Sequence, residues 1–331
     1  MRFVSADEIA AVLQFPALIA AIADAFRAEI TVPLRHHHAM ARKGGEATLL
    51  LMPAWTEEGA QNFIGTKVAT VFPGNVARGQ ASVTGTYLLM KGDSGGPLAA
   101  IDGRVFTLWR TAASSALAAS FLARADAESL LMVGAGALAP YLVRAHASVR
   151  PIRRIAIWNR TRVRAKSLAA ELSSLGFDAR AADDLESAVG AADIVSCATL
   201  SSTPLVQGNW LQSGTHLDLV GGFKPAMREA DDETLKRARL YVDTRAGALK
   251  EAGDIVDPLR RGVIREQDIQ GDLFDLCRGR VQGRASLDEI TLFKSVGTAI
   301  EDLATAMLIW RRLGGGEASG QDGAPMSSNG P

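Results

Sequence analysis

A short apolar segment runs directly into a glycine-rich turn near the middle of the chain. Leu130–Val133 is followed by Gly134-Ala135-Gly136-Ala137-Leu138-Ala139 and then by an amphipathic segment. In a strand–turn–helix unit, the first glycine permits the tight turn, the second lets the backbone approach a pyrophosphate, and a small third residue lets helix and strand pack closely. A structural turn could contain the same glycines, but their position between strand and helix favours a dinucleotide site at Gly134 and Gly136.

Downstream of this turn, short apolar segments alternate with amphipathic ones. Strands separated by helices of about 10–15 residues are typical of βαβ units, which build a parallel sheet with helices on both faces. The predicted fold class is therefore α/β, with a Rossmann-type doubly wound sheet. Its further strands are predicted at Ile155–Trp158, Ala179–Ala181, Ile194–Ala198, His216–Val220 and Leu240–Asp243.

The first third of the chain has a different pattern, that of a mostly antiparallel sheet in an α+β domain. Asp102-Gly103 predicts a two-residue hairpin turn, Arg110–Arg124 a helix that leaves the sheet, and Leu287–Leu313 a helix that returns to it. Its strands are predicted at Ala47–Trp55, Phe63–Phe72, Ser82–Met90 and Leu98–Trp109.

The length of 331 residues suggests two domains. We expect a substrate-binding and dimerisation domain over residues 1–125, completed by residues 287–313, and a dinucleotide-binding domain over residues 126–286. Residues 314–331 are rich in Gly, Ser and Pro and predict a disordered tail.

Charge and cysteine content argue against several classes of protein. Lys+Arg and Asp+Glu are both 36, whereas binding to nucleic acid or to an anionic membrane normally requires a basic excess. Cys197 and Cys277 are too few for a disulfide scaffold or a zinc site, so we expect reduced thiols in a cytoplasmic protein. The most apolar segment, Ile9–Phe26, contains Gln14, Pro16 and Asp24, which predicts two helices of a soluble domain rather than a membrane span.

The end of the second Rossmann strand indicates which dinucleotide binds. NAD sites place an acidic residue there to hold the ribose 2′-hydroxyl. Here the strand runs into Asn159-Arg160-Thr161, whose donors suit a 2′-phosphate, and no acidic residue follows before Glu171. We therefore predict NADPH as the cofactor, with NADH as the other candidate. The alternative interpretation is that Arg160 is a solvent-exposed residue at the start of a helix.

Two further strand ends fit the same crevice. Cys197-Ala198-Thr199 follows the fourth Rossmann strand and is expected to line the ribose–nicotinamide half of the site. Val220-Gly221-Gly222 follows the fifth strand, where glycine is expected to leave room for the nicotinamide ring. For the Cys197 side chain, a small buried hydrophobe is the favoured interpretation over a reactive thiol.

Three cations of the first domain lie on otherwise apolar or small-residue segments: Arg35, Lys67 and Arg110. Burying such a charge is costly unless it is paired, so each has a carboxylate partner or awaits an anionic ligand. Taken singly, each resembles a surface residue with a buried stem. As a set, they predict a site that binds a carboxylate. The adjacent His36, His37 and His38 cannot all face one ion on a strand, so no metal site is predicted.

Five segments resemble motifs of the ornithine cyclodeaminase/μ-crystallin family in the same order, over about residues 1–313. They are RHHH, IGTKVATVFPGN, LWRTAA, VGAGA and LFKSVGTAIEDLATA. The resemblance implies a Rossmann domain beside a substrate domain that forms the interface of a homodimer. It also implies that Arg35, Lys67 and Arg110 hold the substrate carboxylate, and that the cofactor is contacted by Thr111, Gly136, Ala137 and Leu138.

One departure from the family pattern discriminates among its chemistries. Ornithine cyclodeaminases and related alanine dehydrogenases carry an Asp where this chain has Phe223, and Phe can neither accept a proton nor hold an ammonium group. The segment GGFKPAMRE instead resembles reductases of Δ1-pyrroline-2-carboxylate and Δ1-piperideine-2-carboxylate. The resemblance thus implies reduction of a cyclic imino acid, with Lys67 as catalytic residue and Phe223 as an apolar wall of the site. The alternatives are an ornithine cyclodeaminase and a non-enzymatic NADPH-dependent binding protein.

Overall fold

The chain forms two sheets, of seven and eight strands, joined and covered by helices. They are seen in a computed structural model that describes residues 1–42, 45–57, 59, 62–81 and 83–315. The predicted tail lies almost entirely outside these residues. Short 3₁₀ turns occur at Pro73–Arg78, Gly208–Trp210 and Glu266–Asp268.

The seven-stranded sheet is built from the first third of the chain. Its order is β1-β7-β6-β5-β4-β2 with β3 also paired to β4, and every pairing is antiparallel except that of β1 with β7. Alternate residues of β5 face inward and are buried, among them Lys67. The strands are β1 (Arg2–Val4), β2 (Ile30–Thr31), β3 (His36–Met40), β4 (Ala47–Thr56), β5 (Phe63–Val71), β6 (Val83–Lys91) and β7 (Pro97–Asp102).

Three helices accompany this sheet: α1 (Ala6–Val12), α2 (Phe15–Arg27) and α3 (Gly103–Leu122). Ser5 and Glu8 cap α1 reciprocally, and Pro16 lies in the first turn of α2, where its missing N–H costs nothing. The apolar stripe of α2 is fully buried, so the Ile9–Phe26 segment is two core helices as predicted. No single helix in the described residues is long and apolar enough to cross a membrane; only the bent pair α1–α2, taken together, meets that test.

The predicted hairpin at Asp102-Gly103 is wrong. The Asp102 carboxylate accepts hydrogen bonds from the backbone N–H groups of Arg104 and Val105, so it caps α3. Asp caps helices as readily as it initiates turns, because both uses need its short side chain to bond nearby backbone N–H groups. The predicted strand at Leu98–Trp109 therefore ends at Asp102, and the helix predicted from Arg110 begins at Gly103.

The eight-stranded sheet is parallel throughout and confirms the predicted α/β class. Its order is β10-β9-β8-β11-β12-β15-β13-β14, so the chain turns in opposite directions on the two sides of β8 and β11. The strands are β8 (Ser129–Val133), β9 (Arg154–Trp158), β10 (Asp178–Ala181), β11 (Ile194–Cys197), β12 (His216–Leu219), β13 (Ala238–Val242), β14 (Ile269–Asp272) and β15 (Ile290–Lys294). The helices between them are α4 (Ala139–Ala147), α5 (Arg162–Ser174), α6 (Leu185–Gly190), α7 (Asp232–Arg237), α8 (Arg245–Glu251), α9 (Gly253–Arg260) and α10 (Leu273–Cys277).

The predicted helix over Leu287–Leu313 is wrong in its first part. Ile290–Lys294 is β15, a strand buried on both faces between β12 and β13, and the helix α11 covers only Ala299–Arg312. In a strand buried on both faces, apolar residues point to either side, so it lacks the strict apolar–polar alternation that separates strand from helix. Because α11 packs against α2 and β5, we propose that the chain returns to the first domain after Lys294 rather than at Leu287.

Candidate active site

The carboxyl ends of five parallel strands form a continuous edge. Open α/β sheets bind ligands in the crevice at this edge, where the strand order reverses. Here the reversal lies between β8 and β11, whose ends are followed by Gly134 and Ala198. Backbone hydrogen bonds join the residues just beyond the strands: Ala198 N to Val133 O (3.0 Å), Val220 N to Cys197 O (2.9 Å), Ser295 N to Leu219 O (3.2 Å) and Asp243 N to Lys294 O (3.1 Å).

The glycine-rich turn lies at this reversal point and fits a dinucleotide phosphate. Gly134 has φ +110°, and a Cβ there would lie 2.7 Å from the carbonyl oxygen of Ala198, so only glycine suits the position. A Cβ on Gly136 would have no atom within 4 Å, so its backbone borders open space. Gly136 and Ala137 are exposed, Leu138 is partly exposed, and buried Ala139 begins α4.

The residues after β9 lie beside this turn. The Asn159 side-chain oxygen accepts a hydrogen bond from the Ala135 N–H at 3.2 Å, and its amide donates to the Thr161 carbonyl at 3.0 Å. Asn159 therefore holds the turn to the end of β9. Arg160 and Thr161 are exposed, whereas Arg162 forms an ion pair of 2.5 Å with Asp183.

The residues predicted to line the crevice at the ends of β11 and β12 differ in their burial and in their hydrogen bonds. Cys197 is fully buried within the apolar cluster on one face of the sheet, and burial raises the pKa of its thiol well above the usual value. Its side chain is therefore a small buried hydrophobe. Thr199 donates through both its N–H and its hydroxyl to Glu229, and Val220 is buried.

Gly221 and Gly222 pack against buried side chains of the protein. A Cβ on Gly221 would lie 2.5 Å from a carboxylate oxygen of Glu229 and also collide with the Thr199 backbone. A Cβ on Gly222 would collide with the Asp254 carboxylate. These glycines thus make room for two buried carboxylates of the protein.

Two of the three predicted cations share one carboxylate. Asp302, in the first turn of α11, lies 2.8 Å from Lys67 Nζ and 3.1 Å from Arg110 Nε. Arg110 also donates to Glu301 at 2.8 Å. Lys67 is 4% exposed and Arg110 is 7% exposed, so the interpretation as surface residues is wrong for both. Each already has a carboxylate partner.

Arg35 joins the same cluster through the segment between β15 and α11. Its guanidinium donates to the carbonyls of Val296 and Gly297, and its Nε lies 3.0 Å from a Glu251 oxygen. Gly297 also packs against the guanidinium of Arg110, where a Cβ would collide with it. Asp243 fixes this segment by accepting hydrogen bonds of 2.7 Å from the N–H groups of Val296 and Gly297. The structure thus brings the three cations together beside the strand ends.

Burial and neighbouring charges set the protonation of this cluster. Burial and the charge of Arg110 lower the pKa of Lys67 to about 8, against the attraction of Asp302. Burial raises the pKa of Glu301 to about 7, although Arg110 favours its ionised form. A buried lysine that titrates near neutral pH can both hold an anion and release a proton.

The remaining predicted residues lie around this centre. Thr111 follows Arg110 on α3 and is partly buried. Phe223 is partly buried and packs against the apolar cluster on one face of the parallel sheet. His36 and His38 are exposed on β3, and His37 lies 3.7 Å from Glu251. Among the described residues, no three His, Cys, Asp or Glu side chains form a group that could hold a metal ion.

Sequence reasoning missed the acidic half of the site. Glu301 and Asp302 are fully buried in α11, and Glu229, Asp243 and Asp254 are fully buried at the strand ends. A signal was present for the first two, because adjacent acids in the otherwise apolar segment AIEDLATA require buried partners. Lys67 and Arg110 are those partners.

Comparisons with known proteins cover most of the chain. The sequence profile of the "Ornithine cyclodeaminase/mu-crystallin family" matches residues 2–317. A Δ1-pyrroline-2-carboxylate reductase of Paracoccus denitrificans is 44% identical over 269 residues, covering 81% of this chain and 84% of that protein. One from Colwellia psychrerythraea is 37% identical over 318 residues, covering 95% of this chain and 99% of that protein.

A solved structure is similar over nearly the whole chain. It is the Δ1-pyrroline-2-carboxylate reductase of Thermococcus litoralis in complex with NADH and L-proline. The two chains superpose with a TM-score of 0.89 at 33% sequence identity, covering 94% of this chain and 97% of that one.

Proposed function

This chain belongs to the ornithine cyclodeaminase/mu-crystallin family, and on that premise we propose that it is an NAD(P)H-dependent oxidoreductase that reduces cyclic ketimines. The substrates are Δ1-pyrroline-2-carboxylate, which gives L-proline, and Δ1-piperideine-2-carboxylate, which gives L-pipecolate. The observation that carries the proposal is the convergence of Arg35, Lys67 and Arg110 beside the strand ends that border the dinucleotide turn.

The cation cluster supports binding of a small carboxylate. Arg35 projects from the segment before β3 and is 15% exposed at its side chain, whereas Lys67 and Arg110 lie deeper. Arg110 is held by Glu301 and Asp302, which fix its guanidinium before any ligand arrives. A substrate carboxylate that meets pre-positioned cations pays less ordering entropy on binding.

Lys67 is proposed as the residue that supplies charge and a proton. Bound NADPH or NADH supplies the hydride that adds to C2 of the substrate. The ring nitrogen gains a proton as the C=N bond becomes a C–N single bond, so an ammonium group near that nitrogen assists the change. With a pKa of about 8, Lys67 is mostly charged at neutral pH and can still release its proton.

Reduction suits this site better than removal of ammonia. A cyclic ketimine already contains its C=N bond, so no base has to deprotonate an amine. Phe223 stands where cyclodeaminases of the family carry an Asp, and it cannot serve as such a base. We propose that Phe223 instead contributes an apolar wall near the ring methylenes.

A substrate panel tests this function. The chain is mixed with NADPH or NADH and each cyclic imino acid, with pyruvate plus ammonia, or with L-ornithine plus NAD⁺, and absorbance is read at 340 nm. We expect dinucleotide oxidation with the cyclic imino acids and no ammonia from ornithine. Lys67→Met should lose most of this activity, while the exposed control Lys166→Met should keep it. Ammonia release from ornithine would support a cyclodeaminase, and binding of NADPH without any turnover would support a binding protein.

NADPH is proposed as the preferred cofactor. Gly134, Gly136, Ala137 and Leu138 would hold the pyrophosphate, and the residues after β9 would hold the 2′-phosphate. Arg160 is exposed beside the turn, with no acidic residue before Glu171 to repel a phosphate. Arg160→Asp should shift the ratio of kcat/KM for NADPH and NADH toward NADH, and an unchanged ratio would contradict this role.

We propose that the chain forms a homodimer through the outer face of the seven-stranded sheet. The helices α3 and α11 pack against the inner face. The outward-facing residues of paired strands are largely apolar and remain partly exposed, among them Leu51, Trp55, Ile64 and Val68. An apolar sheet face of this kind is typical of an interface, and a second copy of the chain presents the same face.

Sedimentation tests the dimer. We expect a species of twice the 35.0 kDa chain mass. Val68→Asp should yield monomers, whereas the control Val163→Asp, on the exposed face of α5, should not. A monomeric wild-type chain would contradict the proposal.

A cytoplasmic location is also proposed. Both cysteines are buried and unpaired, which agrees with a reducing compartment. Cell fractionation should recover the chain with cytoplasmic marker enzymes, and recovery with membranes or outside the cell would contradict this location.

A further inference from the structure

One fully buried carboxylate joins two of the loops that border the crevice. Glu229 accepts hydrogen bonds at one oxygen from the Thr199 N–H (2.7 Å) and hydroxyl (2.8 Å). Its other oxygen accepts from the N–H groups of Gly221 (2.6 Å) and Gly222 (3.3 Å). Glu229 therefore uses both oxygens to hold the loop after β11 against the loop after β12.

Two further buried charged residues, Asp254 and Lys294, lie next to Glu229. Asp254 accepts hydrogen bonds from the backbone N–H groups of Glu229 (2.7 Å) and Ala230 (3.1 Å). Lys294, the last residue of β15, lies 3.1 Å from Asp254 and 4.0 Å from Glu229. All three charged side chains are 0% exposed, so the cluster ties the loops to a third strand end.

Burial of this charged cluster has a free-energy cost. Buried charges lose their hydration, and well-packed apolar residues of similar volume often give equal or greater stability. A carboxylate offers something that an apolar side chain lacks, namely acceptors for four donors at once. The backbone N–H groups of Thr199, Gly221 and Gly222 are thereby held in fixed directions at the edge of the crevice.

We propose that Glu229 is a positioning residue for the nicotinamide half of the dinucleotide, with Asp254 and Lys294 as its supports. Glu229 acts through Thr199, Gly221 and Gly222 and does not itself touch the cofactor. The inference rests on the proposed function for the identity of the ligand. The glycine turn at Gly134 and Gly136 packs beside Ala198 and Thr199, but it would bind the phosphates through its own backbone N–H groups, which are not among those that donate to Glu229.

The test compares two ligands in equilibrium binding. NADPH contains the nicotinamide, and 2′-phospho-ADP-ribose is the same molecule without it. Glu229→Gln keeps the shape of the side chain but turns an amide NH₂ toward N–H donors on one side. We expect it to raise the Kd for NADPH about tenfold and the Kd for 2′-phospho-ADP-ribose less than about twofold. The exposed control Glu186→Gln should change neither.

The outcomes separate this role from general stabilisation. Equal weakening of both ligands, or no weakening of either, would overturn the inference and leave the proposed function intact. A wild-type chain that binds neither ligand would contradict the proposed function and this inference together.

Hydrogen exchange provides a test that does not depend on the variant folding. In the wild-type chain without ligand, the amide hydrogens of Thr199 and Gly221 should exchange at least about tenfold more slowly than that of exposed Gly136. Equally fast exchange would show that the carboxylate does not hold these loops, and would overturn the inference.

Discussion

Neutralising Asp302 should change the protonation of Lys67 without removing the lysine. Asp302→Asn keeps the volume of the side chain and deletes the negative charge 2.8 Å from Lys67 Nζ. At an effective dielectric constant of about 20, that separation corresponds to about 6 kcal/mol of attraction. Only part of this appears as a pKa change, because side chains and water rearrange, and one neighbouring charge typically moves a pKa by about 1–3 units.

The direction of the shift follows from the charges that remain. Burial and Arg110 already lower the pKa of Lys67 to about 8, and Asp302 is the attraction that opposes them. Without Asp302, we expect the pKa to fall to between about 5 and 7. Lys67 would then be largely neutral at pH 7.5, and the proposed proton donor would be lost there.

The assay is the pH dependence of kcat/KM for Δ1-pyrroline-2-carboxylate at saturating NADPH. The wild-type kcat/KM should decline above about pH 8. The kcat/KM of the Asp302→Asn chain should decline at a pH about 1–3 units lower. The exposed control Asp178→Asn should retain the wild-type profile. Since Arg stays charged, Lys67→Arg should remove this decline altogether.

The proposed role of Lys67 is refuted if kcat/KM of the folded Asp302→Asn chain declines at the same pH as that of the wild-type chain. It is also refuted if Lys67→Arg leaves the decline near pH 8 in place. Circular dichroism at each pH establishes that the variant is folded, since breaking a buried ion pair costs about 3–5 kcal/mol of stability.

Two further predictions concern stability. Gly134→Ala should lower the free energy of unfolding by about 1–3 kcal/mol and weaken dinucleotide binding, because φ is +110° and the Ala198 carbonyl blocks a Cβ; an unchanged urea midpoint and Kd would contradict this. Burial lowers the pKa of His216 to about 3, so its proton is taken up mainly on unfolding, and its contribution to stability is lost as pH falls from 6.5 toward 3. Between pH 7 and 4.5 this amounts to about 3 kcal/mol, so His216→Asn should lose less stability over that range, and an equal loss in both chains would sink the assignment.

Local signals in the sequence were sufficient to predict six of the eight strands in the dinucleotide half of the fold, β8 to β13, but not β14 or β15. The turn at Gly134 and Gly136 depends on a few adjacent residues, and the alternation of strands and helices after it has its own period. Both signals can be recognised in the sequence alone, because they do not depend on which elements pack against these residues. The capping box of Ser5 and Glu8 is a signal of the same local kind, since the two residues are only three positions apart.

Errors arose where one pattern has two physical outcomes. Asp102-Gly103 can turn a hairpin or cap a helix, and the choice depends on the sheet that β7 joins. The segment Ile290–Lys294 is a strand because it lies between β12 and β13. Neither β12 nor β13 is adjacent to Ile290–Lys294 in the sequence.

The polar architecture of the site was the hardest part to anticipate. Lys67 and its partner Asp302 are 235 positions apart, so no local rule pairs them. The Glu229 cluster likewise depends on three strand ends that meet only in the folded sheet. Cations on apolar segments showed that partners were needed, but the identity of those partners depends on the tertiary fold.

Transfer of deuterium from the cofactor to the product is the most direct test of the proposed reduction. NADPH deuterated at C4, on one face and then on the other, is incubated with Δ1-pyrroline-2-carboxylate and the chain, and the product is examined by mass spectrometry and NMR. We expect L-proline that carries one deuterium at C2 from one of the two labelled faces. Absence of proline, or proline without deuterium at C2 from either face, would contradict the proposed reduction.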